Sequence, residues 1–584
     1  MRKLFVVTSA LALACAAPAR ADADGDLKQL VDDVWASVLK EQPIYASALG
    51  IDTYAGQVGD YTLAAQDRRA TDAAAFLKRL DAIPASELDA ASKVEAGILR
   101  RSLNSSIEGN SFGQRAINFT TYSSWHQQFA GMAQNLRFKT KADFESYNAR
   151  LKQYARVNDE NIAVADVAIK RKYTQPCETL SGFEKTITGL ITPDERMSRF
   201  FGPYAGKRPE AVTDEDFNAL ASQAIVTISA IINPALEKQL GWYVKSYKPA
   251  CAKAPGVSAQ PGGDKYYAFR VREETTTDLT PDQIHQIGLK EVARIRAEMV
   301  EVATKAGYPS REAFIQHLRT DPQYYAKTPE ELMEKVARVT KAIDGKMPSL
   351  FGRLPRLPYG IKEIPAETAE GTTTAYYNPG SPEIGLSGTY FVNTSKLDQR
   401  PFWEIPALSV HEAVPGHHHQ IALQQELPLS DFRKYGAFFT GFTEGWGLYS
   451  ERLGIEMGLY DTPAKDMGRL SYEMWRACRL VVDTGIHSKG WTKQQAIGFM
   501  TDNSALSAAN IEAEVNRYIS WPGQALAYKL GELKIRELRA MATKELGAKF
   551  DLAAFHDAVL GQGSVPLDVL EAQITDWVAA EKLK

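Results

Sequence analysis

The stretch Ser409–Gln420, SVHEAVPGHHHQ, holds four of the nine histidines in this 584-residue chain. Zinc hydrolases commonly carry H-E-x-x-H on a helix, where two histidines at i and i+4 bind the metal and the glutamate activates water. His411 and Glu412 begin such a motif, but His417 follows at i+6. On a regular helix it would lie about 240° around the axis from His411, so the two rings would not reach one ion.

The dipeptide Pro415-Gly416 occupies the two surplus positions. Proline removes a helical hydrogen bond, and glycine accepts the backbone angles of an unwound turn. We therefore predict a kinked helix in which a two-residue bulge returns His417 to the face of His411. His418, at i+7, is the alternative ligand, but it lies about 10 Å further along a straight helix. A helix end that is rich in histidine and binds no metal is the simpler alternative.

A third ligand is sought in residues 438–454, FFTGFTEGWGLYSERLG, which has an aromatic-rich helical pattern. We predict that the first helix ends near Leu427 and that the chain turns and brings Glu444 back to the histidines. Two histidines, one glutamate and a water form an open, catalytic type of zinc site. Glu451, on the same face, is an alternative that would instead orient a ligand histidine.

The bulk composition is that of a soluble globular protein, with 44% hydrophobic and 24% charged residues. The formal net charge of −3 gives no reason to expect a nucleic acid or an anionic membrane as partner. The length is sufficient for a large core or for two lobes. Oligomeric state is not predicted by any of these quantities.

The N-terminus is typical of an exported protein. Arg2 and Lys3 precede an apolar run at 4–17, and Ala19-Arg20-Ala21 has the small-residue pattern of a cleavage site. We predict a signal peptide over residues 1–21 and a periplasmic or secreted protein. Attachment of a lipid at Cys15 is an alternative. No later apolar stretch reaches the roughly 18 residues that a membrane span requires.

Three cysteines follow the predicted cleavage site. Cys177 and Cys251 lie in loop-like sequence and could pair in an oxidising compartment, whereas Cys478 lies in a helical pattern and is expected to be a buried free thiol. The Pro- and Gly-rich segment 251–269 suggests a boundary between an N-terminal helical half, residues 22–250, and a C-terminal catalytic half, residues 251–584.

Helical periodicity dominates the chain. In one example, we predict that Thr280 is an N-cap and that Pro281 opens a helix over 281–305. Residues 371–394 are rich in Thr, Tyr and Val, are interrupted by Pro-Gly turns, and predict two or three short strands. The expected fold is mostly α, with a small β-sheet beside the active-site cleft.

Four blocks together resemble one large bacterial family, a domain of unknown function known as DUF885. The blocks are HEAVPGHHHQ (411–420), TEGWGLYSERLG (443–454), DTGIHSKGWT (483–492) and RYISWPGQALAYKLGELKI (517–535). That family resembles helical zinc metallopeptidases of the gluzincin type, including the oligopeptidase, angiotensin-converting-enzyme and Taq-carboxypeptidase groups. The resemblance covers most of the mature chain and is densest from about 370 to 535.

The gluzincin resemblance implies one Zn²⁺ per chain. It implies His411, His417 and Glu444 as ligands, with Glu412 as general base. The sequence departs from the gluzincin pattern in its longer histidine spacing. It also has Leu448 where a carboxylate often follows the third ligand.

The same resemblance suggests residues on the substrate side. An edge strand in 372–380, including Tyr376 and Tyr377, would bind the peptide backbone. Candidate donors to the oxyanion are the side chains of Tyr518, Tyr528 and His487. Arg517 would bind the terminal carboxylate of a peptide, with a salt bridge to Glu512 or Glu514 as its alternative role.

The sequence thus predicts an exported zinc metallopeptidase acting on short peptides, by carboxypeptidase or dipeptidyl-carboxypeptidase action, with endo-oligopeptidase action as an alternative. A zinc amidase acting on modified or non-peptide amides is one rival. A periplasmic metal-binding protein without activity is the other. Glu412 distinguishes them, because a metal carrier needs no base beside the ion.

Overall fold

The computed structural model describes residues 22–369 and 372–584, without the side chains of 367 and 368. The predicted signal peptide, 1–21, lies outside the described residues. The expectation of a mostly α protein with a small sheet is confirmed. The α-helices are α1 Ala23–Glu41, α2 Pro43–Ala48, α3 Leu63–Asp81, α4 Ala90–Ser111, α5 Trp125–Gly131, α6 Lys141–Leu151, α7 Tyr154–Arg171, α8 Phe183–Thr188, α9 Gly202–Ala205, α10 Asp214–Thr227, α11 Asn233–Trp242, α12 Gly263–Thr275, α13 Pro281–Lys305, α14 Arg311–Thr320, α15 Pro329–Asp344, α16 Ala366–Ala369, α17 Ile405–Glu412, α18 His417–Glu426, α19 Thr440–Leu453, α20 Pro463–Lys489, α21 Lys493–Asn503, α22 Ala508–Ser520, α23 Ala527–Leu546, α24 Leu552–Leu560 and α25 Leu567–Leu583.

Local sequence explains how the long helix α13 begins. The Thr280 hydroxyl accepts a hydrogen bond from the Gln283 N–H at 3.3 Å, and the Gln283 side chain accepts one from the Thr280 N–H at 2.9 Å. This reciprocal capping box satisfies two N–H groups that a helix start leaves free. Gly288 lets α13 lie close to α20, since a Cβ there would be 2.7 Å from the Leu480 side chain.

A three-stranded sheet lies beside the histidine stretch. Its strands are β1 Tyr359–Glu363, β2 Ala375–Asn378 and β3 Gly388–Val392, in the order β1-β3-β2. β3 is buried along its whole length and pairs parallel with β1 and antiparallel with β2. The sequence predicted β2 and β3 but not β1. Among the described residues, β2 pairs with β3 alone and is therefore an edge strand.

The hydrophobic cores combine distant parts of the chain. Helices α1, α3 and α4 share one core with residues between 343 and 578. A second core is built from residues 292–525, and a third mainly from residues 119–247. The boundary near residue 250 stays a prediction.

A disulfide joins Cys177 and Cys251, whose Cα atoms are 5.0 Å apart. Beside it, the Cys177 N–H donates to the Ala252 carbonyl at 2.9 Å and the Ala252 N–H donates to the Gln175 carbonyl at 3.0 Å. Cys478 is a buried free thiol on α20. The cysteine pairing that the sequence left open is therefore present in the structure.

One helical run, residues 214–250, is long and apolar enough to cross a membrane by length and composition alone. In this run Ile228, Ile232 and Leu236 belong to a hydrophobic core, whereas Val226 and Val244 are exposed. The expectation of no integral membrane segment stays a prediction.

Glycines allow α19 and α23 to pack with their backbones in contact. A Cβ on Gly445 would lie 2.5 Å from the Gly531 Cα, and one on Gly531 would lie 1.9 Å from the Gly441 carbonyl oxygen. Both neighbours are backbone atoms, so no side chain can move aside. This close backbone contact with α23 fixes the position of α19, which carries Glu444 and Glu451.

The contact between α19 and α23 predicts that Gly445→Ala destabilises the protein by about 1–3 kcal/mol, because the added methyl group must push these two helices apart. Gly498→Ala is the matched control: Gly498 lies within α21, and a Cβ there meets nothing within 4 Å. This control should be neutral or stabilising by up to about 1 kcal/mol, because alanine favours helix. Thermal unfolding of both variants measures the difference. Equal melting temperatures would contradict the close backbone packing.

Candidate metal centre

The histidine stretch forms two helices rather than one kinked helix. α17 ends at Glu412 and α18 begins at His417, with a turn between them that contains a cis Val414–Pro415 bond. The His418 N–H reaches back to the Ala413 carbonyl at 3.1 Å, which closes the turn. The predicted two-residue bulge is therefore wrong in form, because the helix stops and restarts. The helical segment that carries His417 does end near Leu427 as predicted, since α18 stops at Glu426.

Gly416 is required in this turn. A Cβ at that position would lie 1.9 Å from the His411 carbonyl oxygen and 2.4 Å from that of Val410. The chain therefore folds back onto the last turn of α17 at a distance that only glycine permits. The Trp446 indole N–H donates to the Pro415 carbonyl at 2.7 Å and ties the turn to α19.

The structure brings His411, His417 and Glu444 together. One candidate ligand atom from each side chain lies within 4.8 Å of the other two. The Glu444 Oε2 atom is 3.6 Å from His411 Nε2 and 3.3 Å from His417 Nε2. His411 is buried, and the side chains of His417 and Glu444 are only 12% and 18% exposed.

These separations fit a common ion. Two ligands bound tetrahedrally to Zn²⁺ at about 2.0–2.1 Å lie about 3.3 Å from one another. Glu444 Oε2 and His417 Nδ1 are also buried without a hydrogen-bond partner among the described residues. Buried polar atoms without partners are costly, and a cation bound by the three side chains would remove that cost for Glu444.

Glu451 orients His411. Its Oε1 atom lies 2.8 Å from His411 Nδ1 and accepts a hydrogen bond from that nitrogen. The other ring nitrogen, Nε2, is thereby directed at Glu444. The same oxygen is 3.0 Å from Arg476 Nη2. Carboxylates commonly hold metal-binding histidines in this way. A carboxylate often follows the third ligand at the position that Leu448 occupies here. Glu451 therefore supplies the orienting carboxylate that is missing at that position.

The centre favours positive charge. Burial disfavours the imidazolium, yet Glu444 and Glu451, which face its two nitrogens, outweigh this effect and raise the pKa of His411 to about 9. Burial likewise opposes ionisation of Glu444, but the facing His417 and His411 hold its pKa well below the ordinary value. Glu412 adds a further carboxylate next to His411. Either protons or a metal cation would supply the balancing charge.

Gly447 gives the His411 ring its place on α19. A Cβ at Gly447 would lie 2.8–3.1 Å from three atoms of that ring. Glu444 and Gly447 are three residues apart on one face of α19, so the helix presents a ligand and a flat contact together. No motif in the sequence marks this glycine as a contact of a ligand histidine.

His418 is not placed as a ligand. Its Nδ1 atom is 2.9 Å from the Tyr377 hydroxyl, and its Nε2 atom is 2.9 Å from the Leu357 carbonyl oxygen. Both ring nitrogens are therefore used in contacts to the sheet region. Burial lowers the pKa of His418 to about 4, so the ring is neutral.

The two strand tyrosines lie on opposite faces of β2. Tyr377 contacts His418, so its hydroxyl ties the strand to α18. Tyr376 stacks on Phe391 of β3, with ring centroids 4.9 Å apart. Their predicted role in binding substrate therefore rests on the β2 backbone rather than on these side chains.

Tyr528 lies against the centre. Its ring stacks on His411 with centroids 6.3 Å apart and planes at 20°. Its hydroxyl accepts hydrogen bonds from Arg517 at 3.0 Å and Gln524 at 3.3 Å. With two donors already in place, the tyrosine proton is left to donate elsewhere. Burial raises its pKa, Arg517 opposes that shift, and Glu444 adds to it.

Two arginines support Tyr528, the buried Arg479 and the partly exposed Arg517. The Arg479 guanidinium lies between two aromatic rings, 4.2 Å from the Tyr528 centroid and 4.5 Å from that of Trp475. Arg517 bonds the Tyr528 hydroxyl and lies 3.6 Å from Glu514 Oε1. The predicted use of Arg517 as a carboxylate anchor stays a prediction, and in the structure this side chain positions the Tyr528 hydroxyl. The Glu514 ion pair matches the alternative that the sequence suggested.

Tyr518 and His487 occupy structural positions. The buried Tyr518 hydroxyl accepts hydrogen bonds from Trp475 at 2.8 Å and Arg479 at 3.0 Å. His487 Nδ1 accepts from the Val257 N–H at 3.1 Å, and its Nε2 lies 2.9 Å from the Tyr518 carbonyl oxygen. The Tyr518 proton is used by Glu514, whose pKa a hydrogen bond from Tyr518 helps to lower. Both ring nitrogens of His487 are likewise engaged, so neither side chain has a proton free for an oxyanion. Of the three predicted donors, Tyr528 alone faces the candidate ligands.

Fold and site together define a mostly helical protein with a candidate two-histidine, one-glutamate metal centre. The chain belongs to the family described as "Bacterial protein of unknown function (DUF885)", whose model matches residues 43–574. The family membership predicted from the four sequence blocks is confirmed. A comparison with curated proteins found no match.

Solved structures share this fold. A crystal structure of a "putative lipoprotein" from Colwellia psychrerythraea is 29% identical, with a TM-score of 0.87, and covers 96% of this chain and 100% of its own. The structure of a "putative lipoprotein of unknown function" from Shewanella oneidensis is 19% identical, with a TM-score of 0.69, and covers 94% of this chain and 99% of its own. The second likeness concerns the fold alone.

The geometry predicts different effects for the two α19 carboxylates. Glu444→Ala removes a ligand and should reduce the zinc content well below one ion per chain. Glu451→Ala leaves all three ligands and should weaken zinc binding by about 10–100-fold, so that excess zinc restores full occupancy. Zinc titration followed by elemental analysis measures both variants. Loss of zinc from Glu451→Ala alone would reassign the third ligand.

Proposed function

We propose that this protein is an exported, zinc-dependent metallopeptidase that hydrolyses short peptides. The observation that carries the proposal is the convergence of His411, His417 and Glu444, with Glu412 next to the first ligand and Glu451 behind it. This donor set matches open catalytic zinc sites. The resemblance of the sequence to gluzincin peptidases supports the same reading.

A bound zinc ion would supply a Lewis acid that polarises a substrate carbonyl and acidifies water. Glu412, the last residue of α17 and 9% exposed, would take the proton from the attacking water at its carboxylate. It would then pass this proton to the leaving amine. His411 is kept in the correct orientation and tautomer by the bond from its Nδ1 to Glu451.

Tyr528 would stabilise the negative oxygen that develops at the reacting carbon. Its hydroxyl already accepts two hydrogen bonds, so its own proton is available to that oxygen. Arg517 and Gln524 hold the hydroxyl in place before substrate arrives. The resemblance suggested Tyr518, Tyr528 and His487 as oxyanion donors, and we assign this role to Tyr528.

β2 would bind the peptide backbone. The Asn393 N–H donates to the Thr374 carbonyl, and the register then directs the main-chain groups of Ala375 and Tyr377 to the open edge. A peptide added at this edge gains affinity from backbone hydrogen bonds. Carboxypeptidase or dipeptidyl-carboxypeptidase action on short peptides is the preferred form of the reaction.

Two rivals remain distinct from this proposal. A zinc amidase acting on modified or non-peptide amides would use the same centre. A non-enzymatic metal-binding protein would need neither Glu412 nor a positioned Tyr528, and both features favour an enzyme. The open edge of β2 favours peptides over other amides.

Export is supported by three observations: the signal-like N-terminus, the Cys177–Cys251 disulfide, and the 29% identical relative described as a putative lipoprotein. We place the protein in the periplasm or outside the cell. Lipid attachment at Cys15 is the alternative that the description of the Colwellia psychrerythraea relative favours.

The proposed base predicts that Glu412→Gln lowers turnover by about 10²–10⁴-fold while the zinc content stays near one ion per chain. Glutamine keeps the size of the side chain but cannot accept the proton. A mixed peptide library, incubated with zinc-loaded protein and read by mass spectrometry, measures turnover and the positions of cleavage. Cuts one or two residues from the C-terminus are the expected pattern. Full activity of the variant would refute the role of Glu412.

The two tyrosines form a matched pair. Tyr528→Phe should lower kcat by about 10²–10³-fold with little change in zinc content, because it removes the proposed donor. Tyr518→Phe should leave kcat nearly unchanged and lower the melting temperature, because Trp475 and Arg479 lose an acceptor. Steady-state kinetics on a peptide cut by the parent protein compares them. A larger loss of kcat for Tyr518→Phe would reverse the assignment.

A further inference from the structure

A cavity of about 330 Å³ lies away from the candidate ligands. Its lining includes Thr374 before β2, Arg400 and Glu404 before α17, Arg319 of α14, and the first turn of α22. None of these residues takes part in the centre described above. We call the cavity that these residues line the Arg400 cavity.

Two arginines give the Arg400 cavity unused donors. Arg319 donates through Nε and Nη2 to carbonyl oxygens of residues 504–506, which leaves its Nη1 without a partner among the described residues. Arg400 donates through Nε to the Ser395 carbonyl at 3.3 Å and through Nη1 to the Thr374 hydroxyl at 3.1 Å. Its Nη2 likewise has no partner in the described part of the chain. The lining also contains two acids, of which Asp398 is exposed.

The start of α22 adds positive potential. Ser507 is its N-cap and bonds the Asn510 N–H at 3.3 Å, while Ala508 and Ala509 line the cavity. The first N–H groups of a 13-residue helix point out of its N-terminus and favour an anion there.

Glu404 is a buried acid in the lining. It is 8% exposed, and its Oε2 atom lies 3.5 Å from the Tyr472 hydroxyl. Burial raises the pKa of Glu404 to about 8, so the group is mostly neutral at pH 7 and carries a proton that it can donate. A neutral acid beside two arginines does not cancel their charge.

Three elements connect the Arg400 cavity to the metal centre. Glu404 is the residue before α17, and His411 lies about 10 Å further along the axis of that helix. α22 carries Ala508 in its first turn and Arg517 in its last, and Thr374 precedes β2, about 10 Å along the strand from Tyr377. An extended peptide covers about 10 Å with three residues.

We propose that the Arg400 cavity binds a carboxylate group, using the free guanidinium N–H groups of Arg319 and Arg400 and the N-terminus of α22. The carboxylate has two sources: the C-terminus of a peptide lying along β2, or a free small organic acid. The peptide source rests on the proposed function, and the free acid does not. A peptide end held here would set the cut about two residues from the C-terminus, which corresponds to dipeptidyl-carboxypeptidase action.

Calorimetric binding tests the cavity without turnover. The probes are N-acetyl-trialanine, its C-terminal amide, and succinate, each titrated into zinc-loaded Glu412→Gln protein. We expect the acid to bind at least about tenfold more tightly than the amide, as a charge-assisted contact requires. Competition by succinate against the acid peptide would place both at one site. Binding of succinate alone would assign the cavity to free acids.

Ala508→Glu and Ala508→Gln form the matched variants, added to the same protein. Position 508 is exposed in the first turn of α22, where glutamate is compatible with the helix, so both should fold. Glutamate should abolish the preference for the carboxylate, and glutamine should keep it. Arg400→Gln should also abolish the preference, whereas Arg356→Gln, at a position 88% exposed, should not.

Equal affinity of the parent protein for acid and amide, with no binding of succinate, would overturn the proposal. So would equal behaviour of the two Ala508 variants. Carboxylate preference without peptide cleavage by the unaltered protein would refute the peptidase and leave the cavity standing. Cleavage without carboxylate preference would refute the cavity and leave the peptidase standing.

Discussion

The concentration of buried negative charge around His411 is the constraint on which the site depends. Glu412, Glu444 and Glu451 surround one imidazole in a region that water hardly reaches, and Arg476 balances only one of them. Uncompensated buried charge is too costly for a stable fold. The arrangement therefore requires positive charge near Glu444, which protons or a metal cation would supply. The proposal for catalysis rests on this charge together with the convergence of His411, His417 and Glu444.

Backbone contacts give the centre its geometry. Gly445 lets α19 lie on α23, Gly447 lets the same helix accept the His411 ring, and Gly416 lets the chain turn back on α17. Each contact leaves no room for a methyl group. The ligands are therefore held by helices whose separation is set by main-chain atoms, which suits the small tolerance of a metal site.

Much of the site followed from the sequence, because its signals are local. His411, Glu412 and His417 lie within seven positions, and Glu444 follows on the next long helix. A bulge within one helix was expected at Pro415-Gly416. Instead the helix stops at Glu412 and restarts at His417, because Gly416 packs against the carbonyl oxygens of the last turn of α17. That contact has no sequence signature. Strand β1, the Arg476 ion pair and the Arg400 cavity depend on segments far apart in the chain, which is why no motif predicted them.

His418 has a consequence beyond its exclusion as a ligand. It is covalently adjacent to His417, and its two nitrogens contact Tyr377 on the edge strand and the Leu357 carbonyl just before β1. Motion of the sheet and motion of a ligand are therefore mechanically linked through one neutral ring. We therefore expect an ion bound at His417 to stiffen β2, so that slower exchange of the β2 amide hydrogens with solvent would report remotely on its binding.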